Sequence, residues 1–258
     1  MMETLADLSS YSTQAVLTAF LVFVRVSGVM AVLPAFGEQV VPLRVRLVLT
    51  LAFTLITFPA IAVPDAYATR NSFMMVRFVV AEAIAGLAIG LIIRFMVMAL
   101  QIAGANIAQS TSLSQLFGGG AVDAQPAMGH VLFTGGLAIA VTLGLHEKIA
   151  VLIIRSYSFL PIGLLPDSED LSTLMVSHVA GTFALGFAFA APFMIASVIY
   201  NTALGVINRA MPQLMVAFVG APAITLGGLA LLLICAPFLL EIWVQKFFAV
   251  LDNPLGVF

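Results

Sequence analysis

Long apolar intervals, each free or nearly free of charged residues, alternate along the chain with short polar segments. An α-helix needs about 20 mostly apolar residues to cross the hydrocarbon core of a bilayer. Six intervals come close to or exceed that length, and proline or glycine marks several of their ends. They predict six helices, over residues 13–33, 47–63, 78–102, 131–154, 177–207 and 214–248. Because an open strand edge is prohibitive in lipid, we expect an all-α, membrane-associated protein.

The composition supports that interpretation. Hydrophobic residues make up 62% of the 258 residues and charged residues only 9%, against about 25% in soluble proteins. We therefore expect lipid or partner subunits to cover the apolar surface. The net charge of −2 argues against binding of nucleic acid by phosphate neutralisation. Glu3 and Asp7 lie where a signal peptide would carry basic residues, so no cleavable signal peptide is expected.

The segment of residues 101–129 departs from the pattern because it combines polar side chains with three consecutive glycines. At membrane depth such a segment is tolerated only where protein buries it or where it lines a water-filled cavity. An ordinary external loop is the alternative, and the residues by themselves leave both open.

Three charged residues, Arg25, Glu82 and Arg94, fall inside predicted spans, where charge is costly. Glu82 and Arg94 are about 18 Å apart along one helix, so each must find a partner on another helix or subunit. Structural ion pairing and an ion pathway both remain possible interpretations. Gly86 and Gly90 form a G-x-x-x-G pair, which permits close helix contact.

The last two predicted helices form a hairpin in which Arg209 is the one formal charge between residues 171 and 240. Pro212 disfavours helix at the residue before it, which predicts the hairpin tip near Arg209. Gly220 and Pro222 are expected to bend or break the following helix.

Motifs of enzymes and cofactor sites are not found in the sequence. His146-Glu147 begins a metalloprotease motif, but Ala150 stands where the second histidine belongs. The serines of residues 110–114 have no G-x-S-x-G context. We therefore expect no catalytic, metal or cofactor site. A small-solute transporter is disfavoured because no mid-span binding constellation is evident.

The run from Asn208 to Pro222, N-R-A-M-P-Q-L-M-V-A-F-V-G-A-P, closely resembles the C-terminal signature of the FliR/SctT family of type III secretion export-gate proteins. Pro34 with the segment of residues 42–46, and Leu160-Pro161-Ile162-Gly163, resemble two further family segments. The resemblance covers essentially the whole chain. Ala221 departs from it, since phenylalanine is common there.

The resemblance implies a fold and a function. A FliP-like four-helix part, residues 1–176, would precede a FliQ-like helical hairpin, residues 177–258. With FliP and FliQ, the chain would form the channel for unfolded flagellar subunits. This channel would lie in the inner membrane at the flagellar basal body, beside FlhB and FlhA. Injectisome use is the alternative.

The same resemblance implies two sets of functional residues. Residues 108–125 would plug the channel, with apolar side chains closing it and glycines acting as a hinge. The plug residues would be Ser110, Leu113, Leu116, Phe117, Gly118, Gly119 and Gly120. The hairpin-tip signature comprises Asn208, Arg209, Pro212, Gln213, Gly220 and Pro222.

Overall fold

A computed structural model describes residues 2–36, 41–61, 72–111, 127–211 and 216–256. Within these ranges the chain forms seven α-helices and one short 3-10 helix, and no strand. The elements are α1 (Met2–Val32), α2 (Leu43–Thr57) with the 3-10 helix Phe58–Ala60, α3 (Ser72–Thr111), α4 (Ala127–Thr142), α5 (Leu145–Phe159), α6 (Ser168–Ala210) and α7 (Val216–Asp252). The all-α prediction is confirmed.

Five of these helices are long and apolar enough to cross a membrane, and the number is six if α4 and α5 form one bent span. The structure corrects the predicted fourth helix, residues 131–154. This stretch belongs to two helices, α4 and α5, instead of one. Gly144 adopts a left-handed conformation, with φ of 88°, and this backbone geometry ends α4. Glycine permits the conformation, which other residues rarely tolerate. Apolar composition extends across the break, so the hydropathy pattern did not reveal it.

Helix α3 extends to Thr111, about nine residues beyond its predicted end. Polar side chains in this last part bond to carbonyls of their own helix. Asn106 Nδ2 donates to the Ile102 carbonyl at 2.8 Å, and Ser110 Oγ to the Ile107 carbonyl at 2.8 Å. Ser110 is therefore helical, at the root of the proposed plug loop instead of within it.

The sequence predicted a bend or a break near Gly220 and Pro222, and no break occurs there, since α7 continues through Pro222 and Pro237. Gly220 lies against the Leu204 side chain, and the Tyr200 hydroxyl donates to the Gly220 carbonyl at 2.9 Å. These contacts hold the start of α7 against α6, so the loss of a backbone donor at Pro222 does not end the helix.

The chain divides into two compact units, each discontinuous in sequence. Unit 1 comprises Met1–Arg94, Gly144–His178 and Phe248–Val257, and unit 2 comprises Phe95–Leu143, Val179–Phe247 and Phe258. The core of unit 1 is built from apolar side chains of α1, α3 and α5. In unit 2 a buried cluster joins α3, α4, α6 and α7: Ile107, Met128, Leu132, Ala190, Phe193 and Leu232.

Candidate functional site

In unit 1, one stripe of α3 carries Glu82, Gly86, Gly90 and Arg94, at the four-residue spacing that places side chains on one helix face. This stripe faces α1. A Cβ added at Gly86 would collide with the backbone of Arg25, and one at Gly90 with the backbone of Val29. The predicted close helix contact is therefore confirmed, and the missing side chains bring the two helix backbones together.

That contact sets Arg25 of α1 beside Glu82 of α3. The guanidinium binds the carboxylate with two hydrogen bonds, Nε to Oε2 at 2.7 Å and Nη2 to Oε1 at 3.1 Å. Both side chains are 0% exposed, so neither charge is screened by solvent in the folded chain. The sequence predicted that Glu82 needs a partner on another helix or subunit, and that partner is Arg25 of α1.

Helix α5 and the segment after it supply the remaining bonds of this ion pair. Nη1 of the guanidinium donates to Ser156 Oγ at 3.0 Å, and Nη2 donates to the Leu160 carbonyl at 2.8 Å. The guanidinium carbon also lies 3.7 Å from the ring centroid of Tyr157, a cation–π contact. The Gly163 N–H donates to Glu82 Oε1 at 2.8 Å. We name Arg25, Glu82, Ser156, Leu160 and Gly163 the buried polar network.

Gly163 adopts a positive φ of 71°, and a Cβ there would meet the ring of Phe78. Glycine at this position therefore permits both the backbone turn and the close packing against Phe78. Together these allow the Gly163 N–H to reach the Glu82 carboxylate. This explains a structural role for the Leu160–Gly163 segment, which sequence analysis recognised only by resemblance. The contacts join residues up to 135 positions apart in the chain.

Arg94 lies at the other end of the stripe, and it is half-buried. Its Nη1 donates to the carbonyl of Val32, the last residue of α1, at 3.3 Å. A cation at this place satisfies an end carbonyl and opposes the negative end of the helix dipole. Of the three charges in the predicted spans, two thus form an ion pair and the third caps a helix.

In unit 2, the two ends of the proposed plug loop meet. Thr111 Oγ1 lies 3.8 Å from the sulfur of Met128, and a Cβ on Gly104 would collide with the backbone of Gly129. The end of α3 and the start of α4, which flank residues 112–126, are therefore held together by direct contacts. Leu113, Leu116, Phe117, Gly118, Gly119 and Gly120 lie outside the described residues.

Two hydroxyls of the last two helices also hold the end of α3. Ser197 Oγ of α6 donates to the Ser110 carbonyl at 2.5 Å, and Thr225 Oγ1 of α7 donates to the Thr111 carbonyl at 3.5 Å. Helix ends carry carbonyls that lack a partner within the helix, and these hydroxyls satisfy two of them. Neither residue was predicted from the sequence, although isolated hydroxyls in highly apolar helices were an available signal.

Asn208 and Arg209 lie in the last turn of α6, both exposed, and Gly220 and Pro222 lie in the first part of α7. The contacts of Tyr200 and Leu204 with Gly220 show that α6 and α7 pack as an antiparallel hairpin. Pro212 and Gln213, the other two signature residues, lie outside the described residues. Arg209 forms no hydrogen bond or ion pair with any residue that the structure describes.

In the described part of the chain, no group of three or more His, Cys, Asp or Glu side chains is arranged to hold a metal ion. The polar contacts of the two units hold helices and chain segments in place. Unit 1 has a largely buried polar network with no net charge, which holds α1, α3 and the segment at the end of α5 together. Unit 2 fixes both ends of the segment of residues 112–126, whose sequence contains three consecutive glycines.

A sequence model of the family described as bacterial export proteins, family 1, matches residues 16–250. The chain is 30% identical to a flagellar biosynthetic protein FliR of Caulobacter vibrioides, over 92% of this chain and 95% of that protein. It is 26% identical to the protein of that name from Bacillus subtilis, over 83% of this chain and 84% of that protein. For the Aquifex aeolicus protein of that name, the identity is 30% over 88% of each. Since the family match covers most of its length, and full-length relatives align with it, the chain belongs to the bacterial export proteins of family 1, the family of the FliR proteins.

Proposed function

We propose that this chain is a component of the flagellar type III export gate and forms, with FliP and FliQ subunits, the channel for unfolded flagellar subunits. The observation that carries the proposal is the full-length similarity to flagellar biosynthetic proteins FliR. The site residues agree with a structural role in protein export, because they fix helices and a loop. In this proposal the chain resides in the inner membrane at the basal body, with FlhB and FlhA as neighbours.

The same proposal assigns different roles to two parts of the chain. Residues 1–176 act as the FliP-like part and residues 177–258 as the FliQ-like hairpin. The antiparallel packing of α6 and α7 supports the second assignment. Exposed apolar side chains occur along both helices, for example Phe187, Val198 and Leu233. Partner subunits as well as lipid would cover them.

We further propose that residues 112–125 plug the channel, and that Ser110 and Thr111 form its anchored root. The loop base is closed by the contact of Thr111 with Met128 and by the backbone contact of Gly104 with Gly129. A loop with a fixed base and a glycine-rich interior can change shape without disturbing the helices that carry it. Leu113, Leu116 and Phe117 would close the pore by excluding water.

Co-expression with FliP and FliQ tests the assembly. Because binding stabilises the folded state by mass action, we expect the chain to co-purify with both subunits and its yield to rise sharply when FliP is present. A small-solute transporter of similar size and hydropathy, expressed in the same way, is the control. Equal yield and monodispersity with and without FliP, and no co-purification, would contradict the proposal.

A further inference from the structure

Two prolines stand inside the last two helices, Pro192 in α6 and Pro237 in α7, and both are exposed. Proline has no backbone N–H, so the carbonyl four residues earlier in the helix loses its usual donor. The carbonyls affected are those of Ala188 and Leu233, which are exposed residues too. No side chain in the described part of the chain donates a hydrogen bond to either carbonyl. Each helix therefore presents a backbone acceptor on its exposed side.

The two acceptors lie at nearly the same level of the α6–α7 hairpin. Ala190 of α6 and Leu232 of α7 belong to one buried cluster. Ala188 is two residues before the first, and Leu233 is one residue after the second. Because the helices are antiparallel, these two steps run in the same direction along the hairpin. The two carbonyls thus mark one level on its surface.

Apolar side chains surround both carbonyls. Between Thr182 and Ser197, α6 carries no side chain that can donate a hydrogen bond. Between Thr225 and Glu241, α7 carries only the weak thiol donor of Cys235. The large exposed side chains of these two stretches are apolar, and they include Phe187, Ile195, Leu226, Leu233, Ile234 and Phe238. The donors for the two carbonyls must therefore come from outside these helices.

Neither water nor lipid matches this surface. Water would satisfy the carbonyls, but its contact with the surrounding apolar side chains is unfavourable. Acyl chains would cover the apolar side chains, but they have no hydrogen-bond donor, and a carbonyl without a donor is costly in hydrocarbon. An apolar protein surface that carries an uncharged donor meets both demands. Serine, threonine, asparagine and glutamine side chains supply such donors between packed helices in membranes.

We propose that apolar helices of partner subunits pack on the α6–α7 hairpin at this level, and that side-chain hydroxyls or amides of these helices donate hydrogen bonds to the carbonyls of Ala188 and Leu233. The inference rests on the proposed function, in which partner subunits cover this hairpin, and it adds the chemistry of the contact. Pro192 and Pro237 then determine specificity, because a purely apolar helix would leave the two carbonyls without donors.

Replacing either proline by alanine tests this inference, because alanine restores the N–H that the carbonyl lacks. In the chain alone, Pro192→Ala or Pro237→Ala should raise Tm, since proline is the poorest helix former. In the assembly the donor of the partner loses its acceptor, so each variant should be incorporated less well. When a tagged variant and the unsubstituted chain are expressed equally with FliP and FliQ, we expect the variant to be about two- to tenfold under-represented in the complex, the net effect of one hydrogen bond.

Gly227→Ala is the matched control. A Cβ there has open space, so the substitution strengthens α7 through helix propensity without changing an acceptor. It should leave incorporation into the complex unchanged. Equal incorporation of both proline variants and the unsubstituted chain would overturn the inference.

A photoreactive amino acid in place of Leu233, in cells that express the full chain, identifies what covers this surface. We expect cross-links to a protein helix that carries Ser, Thr, Asn or Gln within one turn of the linked residue. Cross-links to lipid alone, to a second copy of this chain, or to a helix without such a donor would overturn the inference. If the unsubstituted chain does not co-purify with FliP and FliQ, the proposed function fails, and the cross-links from position 233 still decide the inference.

Discussion

Replacing Glu82 by methionine leaves the Arg25 guanidinium buried with its charge uncompensated. The two side chains are 0% exposed and share two hydrogen bonds. Methionine has a similar length and fills much of the same space, so the loss of charge pairing dominates over any cavity. Removing one partner of a buried ion pair costs about 3–5 kcal/mol of unfolding free energy. For a chain of this size that corresponds to a Tm lower by roughly 6–20 °C.

Substituting both partners separates pairing from burial. In Arg25→Met with Glu82→Met no charge remains buried, and apolar replacement of a whole buried pair is often close to neutral. Here the Leu160 carbonyl and the Gly163 N–H lose their partners, at about 1–3 kcal/mol for each group left unsatisfied. The double variant should therefore be less stable than the unsubstituted chain by about 2–6 kcal/mol, which is less than the sum of the two single losses of about 3–5 kcal/mol each.

Thermal unfolding of each purified variant in one detergent, followed by far-UV circular dichroism, measures these differences. Lys148 and Asp252 provide the control, because they form an ion pair of similar length, 2.6 Å, that is exposed. Asp252→Asn should change stability by no more than about 1 kcal/mol. The reasoning is refuted if Glu82→Met and Asp252→Asn lower Tm equally, or if the double variant shows the sum of the two single effects.

Three further outcomes are expected. Gly86→Leu should lower Tm strongly, because the new side chain would collide with the Arg25 backbone. Gly227→Ala is the control, because a Cβ there has open space, and it should raise Tm by about 2–4 °C through helix propensity. Similar Tm shifts in the two variants would contradict the packing argument. Arg209→Ala should reduce swimming motility while the protein stays in the membrane, and unchanged motility would show that Arg209 is a solvated charge. Deleting residues 112–120, which spares the contact of Thr111 with Met128, should make the assembled gate leaky in dye-uptake measurements; intact assembly with unchanged permeability would exclude this loop as the plug.

Helical class and membrane character could be predicted from the sequence because both depend on local composition. A span is recognised from about 20 consecutive residues, and the N-R-x-x-P-Q signature is likewise continuous in the chain. The prediction failed at Gly144 and at the end of α3 for a related reason. Apolar residues continue across the break at Gly144, and the polar residues before Thr111 satisfy themselves within the helix.

The sequence also identified Arg25, Glu82 and Arg94 as charges that need partners, because burying an unpaired charge in lipid is costly whatever the fold. Only the tertiary structure decided that Arg25 binds Glu82 across 57 positions of the chain and that Arg94 caps α1. The choice depends on how α1 and α3 are rotated against each other, which Gly86 and Gly90 set by permitting backbone contact. The same holds for Ser197 and Thr225, whose hydroxyls reach the end of α3 through helix packing. Such pairings arise from the arrangement of distant helices, which no local pattern of residues encodes.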